Sequence, residues 1–122
     1  MLSAIAYGLA IVLDLFIVFI GARFLLAPEA AAAGYGVPAQ RGDSAYLTVK
    51  GGRDFSLGLI GLALLAFVGA EAGAWFMLIA ALMPLGDTLI VLRHGGTKAT
   101  AFGIHFATAV VVLISAALLF AL

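Results

Sequence analysis

Apolar residues arrive in four long runs, and most polar positions fall between them. A helix that crosses a bilayer needs about 20 mostly apolar residues. Four segments reach that length, roughly Ser3–Ala27, Tyr46–Val68, Ala72–Leu92 and Ala99–Leu122. Backbone polar groups must be paired within hydrocarbon, which makes helices the default spanning form. The period-2 alternation of a membrane barrel is absent. The pattern therefore predicts an all-α polytopic membrane protein, four transmembrane helices in an up-down bundle, forming one domain over residues 1–122.

The connections carry their own signals. Pro28-Glu29-Ala30-Ala31-Ala32-Ala33-Gly34 predicts a short interfacial helix, with Pro at its first position and Gly just past its end. Gly36-Val37-Pro38 then breaks the chain. The connection around Gly69–Gly73 is tight and predicts an antiparallel hairpin of the second and third spans. Pro84, inside the third span, is expected to bend it or to free a carbonyl near Asp87.

Composition supports the membrane reading. The chain has 122 residues, 66% hydrophobic and 10% charged, whereas soluble domains carry about 25% charged residues. A soluble domain of this length has too little interior for that much apolar surface. The formal net charge is zero, so the basic footprint of a nucleic-acid binder is missing. There is no cysteine, which excludes disulfides and thiolate chemistry. No cofactor is implied.

Charge placement predicts orientation. Arg23, Arg41, Lys50, Arg53, Arg93 and Lys98 all lie at or near the first and third connections. The second connection holds only Glu71, and neither terminus carries Lys or Arg. The positive-inside rule then puts the basic connections in the cytoplasm and both termini outside a cell membrane, plasma or inner. This bias argues against dual topology. The Ala-rich stretch after the first span superficially suits signal cleavage, but no positive charge precedes the apolar run, so the span is expected to be retained. Arg41-Gly42-Asp43 spells an adhesion tripeptide and is read as a chance match on the cytoplasmic side.

Asp14, Asp87 and His105 fall inside predicted spans, where an ionisable group costs roughly 2.5–3.5 kcal/mol and so faces a partner or a cavity. Helical spacing puts Tyr7, Asp14 and Gly21 on one face of the first span. Asp54, Gly58 and Gly61 share a face of the second, and Lys98, His105, Thr108 and Ser115 a stripe of the fourth. Two readings compete. In the structural one, Asp54 or Asp87 pairs with Arg53, Arg23 or His105 and pins the bundle. In the functional one, Asp87 and His105 form an acid–base pair in a pocket, tuned by Asp54 and Asp14. Lys50, Arg53 and Arg93, with Lys98, Arg23 and Tyr46, would then hold an anionic group. Lys50-Gly51-Gly52-Arg53 and the stretch Arg93–Lys98 lie near helix N-termini, which suit a phosphate. The competing view of both stretches is an orientation signal with turn glycines. Neither matches a nucleotide loop, and no tight metal-ligand spacing occurs.

Several polar motifs occur in a recognisable order. They are Gly34-Tyr35-Gly36-Val37-Pro38, Tyr46-Leu47-Thr48-Val49-Lys50-Gly51-Gly52-Arg53-Asp54, Pro84-Leu85-Gly86-Asp87-Thr88-Leu89-Ile90-Val91-Leu92-Arg93-His94-Gly95-Gly96, and the His105 segment. Through them the chain resembles the small four-helix membrane proteins of the DUF4267 family. The resemblance covers nearly the whole chain and implies fold and location, with no catalytic assignment. Small multidrug transporters also have four short spans and an acidic residue in the first, but their motifs do not match.

The leading expectation is a small amphipathic or lipid-like molecule bound in a cytoplasm-facing polar pocket, with proton-transfer chemistry of the isomerase type. A proton-coupled transporter using Asp14 and Asp87 is the alternative, and a non-catalytic membrane subunit the third. Membrane lipid is the expected surrounding, and the small-residue faces allow homo-oligomers.

Overall fold

The computed structural model describes residues Met1–Leu122. It is all-α. In chain order the helices are α1 Leu2–Leu26, α2 Pro28–Tyr35, α3 Ser44–Phe67, α4 Ala70–Ala80, α5 Leu82–Arg93 and α6 Lys98–Thr100. A wide π turn over Ala101–Phe106 then leads into α7, Ala107–Phe120.

Three stretches are long and apolar enough to cross a membrane: Leu2–Leu26, Ala70–Arg93 and Lys98–Phe120. That fits an integral membrane protein. The expectation of four such helices is met for three. The remaining helix, α3, has the length at 24 residues, but Lys50, Arg53 and Asp54 interrupt its apolar run. Large side chains such as Phe19, Val12, Ile79 and Leu82 are exposed around the helices. Apolar surface this extensive marks contact with something other than water.

The first connection folds as expected, with one shift. Pro28 occupies the first turn of α2, where its missing N–H costs nothing. The helix does not stop at Gly34. It runs on to Tyr35 and ends at Gly36, which takes the left-handed conformation at φ 98°. There the Val37 N–H reaches back to the Ala32 carbonyl at 3.2 Å, closing a Schellman-type end. The connection between α3 and α4 is as tight as predicted and turns at Gly69, φ 125°. Pro84 has no N–H to give Ala80, and the long third rod breaks into α4 and α5 at Ala81.

α1 and α3 run antiparallel along a seam of small residues. A Cβ placed on Gly21 would lie 2.7 Å from the Gly51 carbonyl oxygen, and one on Gly51 would lie 2.9 Å from the Gly21 oxygen. Backbone therefore meets backbone, as small-residue interfaces allow. Farther along, Gly58 and Gly61 receive Asp14 and its neighbours. The face predicted for Asp54, Gly58 and Gly61 is thus buried as a unit.

Two apolar clusters result. The larger joins Ala6, Ala10, Leu65, Ala74, Met77, Ala81, Val112, Ala116 and Leu119 at the end away from the basic residues. The smaller, Phe24, Ala31 and Ala32, seats α2 against the basic end of α1. Between them a cavity remains, lined from α1, α2, α3, α4, α5, the π turn and α7.

Candidate functional site

Tyr35 organises this cavity. It is the last residue of α2, so its carbonyl has no partner within the helix. His105 supplies one: Nε2 donates to the Tyr35 carbonyl at 2.7 Å. Donation from Nε2 leaves Nδ1 as the basic nitrogen of the neutral ring. The two rings also stack, with centroids 4.3 Å apart at 55°. At its other end the Tyr35 hydroxyl donates to Oδ2 of Asp87. Phe24 closes on the Tyr35 ring edge-to-face at 5.6 Å.

Lys50 completes the polar wall. Its ammonium pairs with Asp54 one turn along α3 and lies 4.4 Å from the centroids of both the Phe24 and Tyr35 rings. A half-buried cation against aromatic faces is held by their quadrupoles as well as by the carboxylate. Asp54 therefore pairs with Lys50, and Asp87 with Tyr35, rather than with Arg53, Arg23 or His105. Asp87 and His105 meet only through Tyr35. If Lys50 and Asp54 act as a unit, Lys50→Met and Asp54→Asn should each destabilise the protein, and the double variant should cost less than their sum. A coupling of about 0.5–3 kcal/mol in a double-mutant cycle is the expected result. Strict additivity would show the pair to be incidental.

The cavity has a volume of about 730 Å³, within the usual range for small-molecule sites. Its walls are mostly apolar, and its polar groups are Asp14, Arg23, Tyr35, Lys50, Asp54, Asp87, His105 and Thr108. Its lining includes Phe16, Phe19, Leu82, Met83, Ile90 and Ile104, all exposed on the outer surface. The opening is therefore lateral, between α1 on one side and α5 with the π turn on the other. Arg53, Arg93, Lys98 and Tyr46 stand apart from it and are exposed. Long basic side chains near helix ends carry their charge outward to water, which explains why a shared end of the molecule did not become a shared site.

His105 lies in the π turn. Wide turns of this kind are rare and frequent at functional sites. This one shifts the register of the last span: His105 and Ser115 stay buried, whereas Lys98 is exposed.

A family model described as "Domain of unknown function (DUF4267)" matches residues 15–119. The chain belongs to the DUF4267 family. The match takes in Tyr35, Lys50, Asp54, Asp87 and His105, while Asp14 falls one residue before its start. No curated protein and no solved structure matches the chain. The polar wall of this DUF4267 protein was only half legible in its sequence. Tyr35 stood inside a recognised motif, yet the signal that mattered was its position as the last residue before a left-handed glycine, where a free carbonyl needs a donor.

Tyr35 is also the titratable group outside the long helices that the fold perturbs. Burial first, then the neighbouring Asp87 carboxylate and its hydrogen bond, push the phenol far above its ordinary range. An unfolded tyrosine ionises near pH 10. With the folded value raised, Tyr35 contributes its full stabilisation below about pH 10 and loses it progressively above. Alkaline difference spectra should therefore show no phenolate from Tyr35 while the protein stays folded. Wild type and Tyr35→Phe should give the same phenolate absorbance until unfolding, and a smaller signal in the variant would contradict the geometry.

Proposed function

We propose that this protein spans a cell membrane with four helices, α3 among them, and binds a small amphipathic or lipid-like molecule in the cavity behind Tyr35. Both basic connections lie in the cytoplasm and both termini outside, since all six Lys and Arg residues gather at one end. α3 is carried through the bilayer by its partners: Lys50 and Asp54 neutralise each other, and its glycine face is covered by α1. The observation that supports ligand binding is the cavity itself, a mostly apolar chamber with one wall of convergent polar groups. Such chambers are the default binding sites of proteins.

Proton transfer is the chemistry this wall suits. The Tyr35 hydroxyl with Asp87 behind it makes a donor–acceptor unit, and His105 offers Nδ1 as a base. Both are fixed to one residue, so their relative positions are set. A substrate that shifts a double bond or enolises would use one group to take a proton and the other to return it.

Native mass spectrometry of gently solubilised protein tests the binding reading. Wild type is expected to carry a discrete small molecule that Asp87→Asn and His105→Ala lose while remaining folded. Bare protein in all samples would remove the reading, and full occupancy in both variants would remove the roles given to Asp87 and His105. Oligomer masses in the same spectra report whether the protein associates with itself.

A further inference from the structure

The cavity holds three carboxylates, and two are already matched: Lys50 takes Asp54, and the Tyr35 hydroxyl takes Asp87. Asp14 has no such partner. Its side chain is 2% exposed, and Oδ2 is shut off from solvent with no hydrogen-bond donor. The place is closely built, because the carboxyl group rests where a Cβ on Gly61 would otherwise go. Seven residues of α3 separate Gly61 from Asp54, which puts Asp14 roughly 10 Å deeper than the Lys50–Asp54 pair. The lining at that depth, with Leu13, Phe76, Met77 and Val112, offers no donor.

A lone carboxylate in an apolar surrounding is too costly to persist: it either holds a proton or is met by a positive or donating group. The protein does not supply one. The formal charges of the lining point the same way: three carboxylates face Arg23 and Lys50, and Arg23 stands exposed at the rim. The lining thus carries one formal negative charge in excess, and Asp14 is the deepest of its carboxylates. We infer that Asp14 is the deep recognition group for a lipophilic cation, an amine or onium amphipath whose positive centre docks on this carboxylate. The inference rests on the cavity being a binding site and names its ligand class.

A proton and the ligand then compete for one carboxylate. Binding to the protonated form breaks the O–H bond and releases that proton to water, leaving the carboxylate paired with the cation. The other titratable or charged groups facing the cavity are Tyr35 from α2, Lys50 and Asp54 from α3, Asp87 from α5, His105 from the π turn and Arg23 from α1; α4 contributes none.

Tetraphenylphosphonium and tetraphenylborate share size and shape and differ in the sign of their charge. Equilibrium binding of each to the protein in nanodiscs, with empty nanodiscs subtracted, tests the inference. The cation is expected to bind at least about tenfold more tightly than the anion. Asp14→Asn should abolish that preference, and acidification should weaken cation binding to wild type, a readout that needs no variant to fold. Equal or stronger binding of tetraphenylborate, or unchanged cation binding by folded Asp14→Asn, would overturn it. If neither probe binds but native mass spectra show an occupied cavity, the cation inference falls and the binding reading stands. If the native spectra are bare as well, both fall.

Discussion

Replacing Gly51 with leucine is expected to separate α1 from α3 and to cost about 3 kcal/mol or more, the upper range for overpacked cores. The two nearest atoms opposite are backbone. A Cβ at this position meets the Gly21 carbonyl oxygen and the Leu25 backbone nitrogen, each 2.9 Å away. Neither can turn aside as a side-chain tip would, so the helices themselves must move. Gly52, next along the chain, has nothing within 4 Å of the same added atom. Gly52→Leu should therefore melt at or slightly above the wild-type temperature, since replacing a helical glycine contributes up to about 1 kcal/mol. Thermal unfolding of the two variants in one detergent makes the comparison. Equal melting temperatures would show that the seam gives more easily than its backbone contacts imply.

The second large effect is expected from His105→Ala. The change leaves the Tyr35 carbonyl without its donor, at about 1–3 kcal/mol, and removes a ring stack worth about 0.5–1.5 kcal/mol. Together these favour release of α2 by roughly 10- to 2,000-fold, if the losses add. Amide exchange across Pro28–Tyr35 should accelerate accordingly, while α1 and α7 stay protected. Tyr35→Phe keeps the carbonyl bond and the stack, so its α2 should exchange more slowly than that of His105→Ala. Unchanged exchange in His105→Ala would mean that the Phe24, Ala31 and Ala32 cluster alone holds α2 in place.

Much of this architecture is written in local pattern. The apolar runs, the tight turn at Gly69, the break near Pro84 and the shared face of Asp54, Gly58 and Gly61 follow from rules that act within a few residues. The site is different because its contacts cross the chain: Tyr35 reaches Asp87 over 52 positions and His105 over 70. Spacing along one helix cannot reveal such pairings. The Lys50–Asp54 pair, four residues apart on one helix, was readable in principle and was obscured by the adjacent Arg53. The π turn left no pattern of its own, and it carries His105 inward while Lys98 stays outside.

The sideways mouth between α1 and α5 changes what an affinity means for this protein. The lipophilic ligand proposed above would reach it by first dissolving in the bilayer, so its occupancy is best expressed against a mole fraction among lipids. Doubling the lipid at fixed total ligand would roughly halve that mole fraction and lower the occupancy of the cavity accordingly. Encounter with such a ligand would be lateral diffusion within a leaflet, a search in two dimensions among molecules the membrane has already concentrated.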